Sequence, residues 1–196
     1  NAVAKEDAPA EHDGYWWLGV LVNNFRFSCQ VCNRRLEDET TGQVQGKGTR
    51  FPLRDNATRA TSRDTMSSEE PLLLDPTVRG DVDILWFNQD GTVTCKSADP
   101  ELRARVEASR VCYHLEDIDI LTARGAVCAE VKEIAETLEE WEKKTVAGVS
   151  GARRTLIQKK IQLLYMTREY SPFSAAARAT LKGYDYIDSA KEILEK

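Results

Sequence analysis

A mostly helical α+β protein is the fold class the sequence predicts, on three observations. In the second half, Val127, Val131, Ile134, Leu138 and Trp141 recur at spacings of 4, 3, 4 and 3, which is one inward stripe of a long amphipathic helix. Before it, the apolar runs 83–87 and 92–95 flank Asn88-Gln-Asp-Gly91, and Asp-Gly between such runs is a hairpin signal. The stretch Tyr15 to Leu53 is different again. It gathers aromatic, cysteine, asparagine and basic residues. The expected organisation is therefore an N-terminal α+β unit over 1–98 and a helical domain over 99–196.

Taken in order, residues 1–14 read as polar loop. Tyr15 to Val22 is apolar and aromatic, a strand or a short buried helix that periodicity does not separate. Asn23-Asn24 breaks that run as a turn or cap. A helix starting in Phe25 to Arg35 would bring Cys29, Cys32 and Asn33 within about one turn. Thr40 to Thr49 is a loop, and Asp55 to Glu70 is a Ser/Thr/Arg-rich exposed connection. The segment 71–76, Pro-Leu-Leu-Leu-Asp-Pro, is short, buried and stopped by its second proline.

Asp99-Pro100 is an N-cap followed by proline at the first helical position, and Val106, Val111 and Leu115 would supply that helix's inward face. Gly148 and Gly151 end the long helix. Leu156, Ile157, Ile161, Leu164 and Tyr165 make a second stripe, expected to pack on the first as an antiparallel pair. Ser171-Pro172 closes that helix, and the tail holds one or two short ones.

Composition narrows the function classes. With 196 residues and 41% apolar content the chain can bury a sizeable core. No apolar run approaches the ~18 residues that suggest a membrane span. Net charge is −5, so the chain as a whole does not advertise nucleic-acid binding. Between Arg26 and Arg63, however, eight basic residues face four acidic ones, a local balance of +4. A basic site on an acidic scaffold suits a phosphate-bearing substrate. Five cysteines, an odd number, argue against a disulfide framework and for a reducing cytoplasm. Cys95, Cys112 and Cys128 stand apart and read as buried thiols.

Cys29-x-x-Cys32 is half of a zinc site, since structural zinc takes four tetrahedral ligands. The same spacing also fits two buried cysteines without function, and less well a redox pair, because no βαβ pattern surrounds it. Asn24 and Asn33, taken singly, are turn and cap residues. His12 reads as a loop histidine able to approach a metal or substrate, and His114 as a packed or surface one.

Together these residues resemble the HNH nuclease pattern, in which an Asn precedes a C-x-x-C followed by His or Asn and then a Lys. Here it runs Asn24, Cys29, Cys32, Asn33 and Lys47, with a longer insertion than usual before the lysine. Gly14-Tyr-Trp-Trp-Leu18, the Cys-Gln-Val-Cys-Asn-Arg-Arg block, Lys47-Gly-Thr-Arg-Phe-Pro-Leu53 and Glu70-Pro-Leu-Leu-Leu-Asp-Pro76 resemble one branch of HNH proteins. That branch contains the nuclease subunit of Septu-type and retron-associated bacterial anti-phage systems. The resemblance covers about residues 12–76 and is looser beyond. In the branch, a C-x-x-C-E pair and a Glu-His-aromatic-Arg-Pro-Lys segment stand upstream of the Tyr-Trp-Trp block. Neither is in this sequence, and the chain reads as the later part of such a protein.

What the resemblance implies is an HNH-type ββα-metal unit, N-terminally truncated here, followed by the helical domain. Its activity would be metal-dependent hydrolysis of phosphodiesters in nucleic acid. Asn33 with upstream ligands would hold a divalent ion such as Mg2+, and Asn24 would orient an upstream general-base histidine. Cys29 and Cys32 would hold half of a structural Zn2+ site. Arg34, Arg35, Lys47 and Arg50 would contact the phosphate backbone. The partner implied is an ABC/SMC-like ATPase, with no membrane involved. The competing expectation is a non-catalytic, zinc-containing helical interaction module. The glutamates Glu130, Glu133, Glu136 and Glu140 would form an acidic outer face that repels nucleic acid and receives the partner.

Overall fold

The computed structural model describes residues 3–4, 7–8, 12–34, 36–37, 42 and 44–195. It is a mostly helical α+β protein, as predicted. Its packing divides into two units: Asn1–Leu85 with Thr94–Asp117, and Trp86–Val93 with Ile118–Lys196. The division therefore falls after the Pro100–Cys112 helix, which packs with the N-terminal residues.

In the first unit the Tyr15–Val22 run is neither strand nor buried helix. It forms two 3-10 turns, Trp16–Leu18 and Val22–Asn24, with Trp16, Val20 and Val22 exposed. Only alternate aromatics turn inward: Tyr15 meets Trp17 and Phe51 edge-on at centroid distances of 5.6 and 5.2 Å. The helix expected from Phe25 is a single turn, α1 (Gln30–Asn33), because residues 25–29 stay extended up to the Cys29 cap. Strands β1 (Leu36–Glu37) and β2 (Val44–Gln45) then pair antiparallel, Leu36 opposite Gln45.

Residues 55–70 form a largely exposed connection, as expected, and hold two short 3-10 turns. Asp55 caps the turn Asn56–Thr58 through Ala57 N–H at 2.8 Å, and Ser62 with Thr65 builds a capping box on the turn Arg63–Ser68. Leu53 bridges Pro71, with Arg54 N–H on Glu70 O and Leu72 N–H on Pro52 O. The two leucine-proline blocks singled out in the sequence thus lie side by side. Leu73 and Leu74 are buried as expected.

After α2 (Arg79–Val82), α3 (Pro100–Cys112) starts where Asp99-Pro100 predicted, with the Asp99 carboxylate accepting Glu101 N–H at 2.8 Å. Its inward face is corrected: Val106, Ser109 and Cys112 are buried, whereas Val111 is exposed and Leu115 half-buried. Ser109 turns inward because its Oγ accepts Leu74 N–H at 2.8 Å, and Tyr113 O–H donates to Leu74 O at 3.0 Å. A polar residue is buried here at no cost because it satisfies a buried backbone donor.

Strands β3 (Leu85–Phe87) and β4 (Val93–Cys95) form the predicted hairpin. Within the second unit its tip packs on α4 (Ile118–Val146). Gly91 has φ +85°, and a Cβ there would lie 2.7 Å from Leu121 O. The buried Arg124 donates to Gly91 O at 2.7 Å and stands over the Phe87 ring.

The core of the second unit is the predicted α4 stripe, Val131, Ile134 and Leu138 with Ala135. Around it pack α5 (Ala152–Met166), α6 (Ser174–Leu181) and α7 (Asp188–Leu194). The α5 stripe is rotated from the expected one. Ala152 and Leu163 are buried, with Leu156 and Leu164 packed at the edge, while Ile157, Ile161 and Tyr165 face outward.

Candidate functional site

The C-x-x-C turn is built from its own backbone. Cys29 sits in the extended region at the α1 N-cap, and its Sγ accepts Cys32 N–H at 3.1 Å. Asn33 N–H closes on Cys29 O at 3.1 Å. The β1–β2 ladder then folds the chain back, so that Lys47 N–H reaches Cys32 O at 3.0 Å and Gly48 N–H reaches Asn33 O at 2.8 Å. Gly46 and Gly48 make this return with positive φ, +90° and +49°, a conformation side chains disfavour. The lysine of the sequence pattern is therefore tied by backbone to the cysteine and asparagine, despite the insertion between them.

An N–H donated to a sulfur stabilises negative charge on it, as does a metal ion. That bond serves the Cys29 sulfur; at Cys32, burial, the hydrogen bond with Cys29 and the nearby charges of Cys29 and Asp117 push the thiol up to about 12. With no cation present, Cys32 keeps its proton. A dication between the two sulfurs would displace it. Cys29 is exposed and Cys32 half-buried, and neither is in a disulfide. Among the described residues no group of three or more His, Cys, Asp or Glu is placed to hold a metal.

The two asparagines lie on opposite ends of the segment. Asn24 ends the Val22–Asn24 turn, and its Nδ2 donates to Leu18 O at 3.4 Å. Asn33 is exposed at the end of α1.

The basic candidates divide by what they already hold. Arg34 is exposed, whereas Arg35 lies outside the described residues. Lys47 is half-buried with Nζ donating to Arg50 O at 3.2 Å, and burial lowers its pKa against the nearby charges of Cys112 and Asp7. Arg50 donates Nη2 to the buried Asp7 at 3.1 Å, and the other Asp7 oxygen accepts Phe51 N–H at 2.7 Å. Lys47 and Arg50 shape the turn in which they sit.

His12 is fixed rather than offered to a ligand. Gly14 N–H donates to Nδ1 at 3.0 Å, so Nε2 carries the proton and donates to Ala60 O at 2.8 Å. Beside it, Tyr15 O–H donates to Glu69 at 2.8 Å and accepts Arg59 Nη1 at 2.9 Å, while Glu69 also accepts Ala60 N–H at 2.7 Å. Burial raises the Tyr15 pKa well above a free phenol's. Arg59 Nη2 also reaches Asp7 O and Phe51 O. Sequence reasoning missed Asp7, Arg59 and Glu69, which lie in stretches that read as polar loop. Their only sequence signal is position, on either side of the aromatic block they brace.

The chain is similar to the Septu protein PtuB of Bacillus mycoides (strain KBAB4), with 29% identity over 121 residues. That alignment takes in 62% of this chain and 36% of the relative, so the chain spans about a third of the relative's length. No family profile matches the chain. No solved structure matches it either.

Proposed function

We propose that the chain belongs to a metal-dependent, HNH-type nuclease subunit acting on nucleic acid in a Septu-type anti-phage system, beside an ABC/SMC-like ATPase. The observation that carries this reading is the Cys29–Asn33 turn clipped to Lys47 and Gly48, which brings Cys29, Cys32, Asn33 and the Lys47 backbone together, with Asn24 outside the turn. The similarity to a Septu protein supports the defence setting. In this reading Cys29 and Cys32 supply half of the structural zinc, and that metal would fix the turn as folding proceeds. Asn33 is the surface ligand for the divalent ion, and Arg34 and Arg35 approach the phosphates. Lys47 and Arg50 position the turn. The described residues do not complete the divalent-ion site.

A second reading is a zinc-containing interaction module without catalysis, which the same Cys29–Cys32 turn would serve. One experiment separates them. The intact protein with its partner is given plasmid DNA, single-stranded DNA and tRNA in Mg2+ and in EDTA. Metal-dependent cleavage that falls about 10- to 100-fold in Asn33→Ala supports the nuclease. An intact protein that binds zinc and partner but cleaves none of these substrates overturns it in favour of the module.

A further inference from the structure

We infer that the outer face of α5 is a docking ridge for an acidic amphipathic helix of a partner protein. Ile157, Ile161 and Tyr165 follow one another at intervals of four on this helix, and so form one row along it. They are 47%, 60% and 60% exposed. The row continues into Tyr170, which meets Tyr165 edge-on at a centroid distance of 6.4 Å. Single exposed apolar residues are ordinary, but a contiguous row of them marks an interaction surface. This row is also not the half of the helix that the core requires, since Ala152, Leu156, Leu163 and Leu164 serve α4 and its neighbours.

Charge selects the occupant. α5 carries Arg153, Arg154, Lys159 and Lys160 and no acidic residue. Lys160 is paired with Glu192. Arg154 lies one turn before Ile157 on the ridge, and Arg168 lies just past Tyr165, over the Tyr170 ring at 6.0 Å. The ridge is therefore apolar in the middle, with Arg154 at one end and Arg168, next to Glu169, at the other. A second copy docked antiparallel on its own α5 would set Arg154 against Arg168 of the other copy, a like-charge pairing that disfavours association. Nucleic acid wants a continuous run of cations, whereas Gln158 and Gln162 flank the centre here. A helix with a short apolar row and carboxylates at both ends satisfies ridge and charges together, and apolar, Tyr and Arg anchors are the usual centres of such contacts.

Of the acidic α4 face predicted to receive the partner, three of the four glutamates are engaged within the second unit: Glu130 accepts Gln162, Glu140 pairs with Lys144, and Glu136 with Lys132 and Tyr184, while Glu133 is exposed. The inference is independent of the nuclease reading, because it uses only the second unit.

The test uses the full chain and a fluorescent synthetic helical peptide of about five turns. The peptide carries an Ile/Leu row at i, i+4 and i+8 with glutamates at both ends; a second peptide has lysines in their place. Anisotropy should show the glutamate peptide binding in the micromolar range, weakening with salt. The lysine peptide should bind about tenfold or more weakly. Ile161→Glu, at an exposed position, should abolish binding without changing the circular dichroism. Arg154→Glu with Arg168→Glu should reverse the peptide preference. Equal binding of both peptides, or no binding, overturns the inference. So does binding retained in Ile161→Glu, ridge-dependent binding to anionic vesicles, or self-association lost in Ile161→Glu.

Discussion

Asp7 is the residue whose replacement tests the construction of the first unit most directly. Its side chain is nearly inaccessible, at 3% exposure, against 27% for Arg50. One oxygen accepts Phe51 N–H at 2.7 Å and the other Arg50 Nη2 at 3.1 Å. In Asp7→Ala the Phe51 N–H stays inside without its acceptor, at a cost of about 1–3 kcal/mol. Arg50 is partly exposed and can turn toward water, so the lost ion pair adds only about 1 kcal/mol. The expected destabilisation is about 2–4 kcal/mol. Asp7→Asn keeps a carbonyl for Phe51 N–H and gives up only the charge, so it should cost about 1 kcal/mol. Amide hydrogen exchange at Phe51 is the suitable readout, because two packing units need not unfold together. A double-mutant cycle with Arg50→Ala should return a coupling of about 1 kcal/mol. If Asp7→Ala and Asp7→Asn were equal and both below about 0.5 kcal/mol, the buried staple described here would not hold the Lys47–Phe51 turn.

Three further outcomes are expected. Metal analysis of the intact protein should find about one equivalent of zinc per chain, and Cys29→Ser should lower metal content and thermal stability together; zinc-free protein with reactive thiols would contradict this. The Cys32 thiol, pushed up to about 12 in the metal-free fold, favours the protonated folded state. That contribution is fully present below the ~8.5 of a free thiol and is lost as pH rises through the folded value. Metal-free protein should therefore weaken above about pH 9 and alkylate slowly at Cys32 below it; an alkylation midpoint near that of a free thiol would refute the assignment. Gly91→Ala should destabilise the second unit by about 2–4 kcal/mol, from overpacking against Leu121 O and the positive φ, as read by urea unfolding at Trp86 and Trp141.

What the sequence disclosed was whatever short spacing determines. The Asp99 cap, the Asp90-Gly91 turn and the approach of Cys29 to Cys32 within one turn each close within three residues, so residue types alone announce them. The α4 stripe was legible for a similar reason: its apolar residues occupy one face and leave the other to glutamate and lysine. On α5 the apolar residues Leu156, Ile157, Ile161, Leu163, Leu164 and Tyr165 run round most of the helix. Pattern alone does not choose a face in that case. The left-handed Gly151 starts the helix with Ala152 inward, and the two isoleucines and Tyr165 fall outside.

The same limit explains the site. Asp7 meets Arg50 and Phe51 across 43 and 44 residues, and Tyr15 meets Glu69 across 54. No local pattern marks such partners, and a lone acid in a polar stretch reads as solvated. The consequence reaches the functional reading. Two of the four residues expected to touch phosphate, Lys47 and Arg50, have their polar groups turned to the protein's own carbonyl and carboxylate. Neutralising Arg34 should then weaken nucleic-acid binding and lower its salt slope by about one unit, with stability unchanged because the residue is exposed. Neutralising Arg50 should act first on stability and only through it on binding. Measured together, equal salt-slope losses for Arg34→Ala and Arg50→Ala at unchanged stability would return Arg50 to the phosphate-contacting surface.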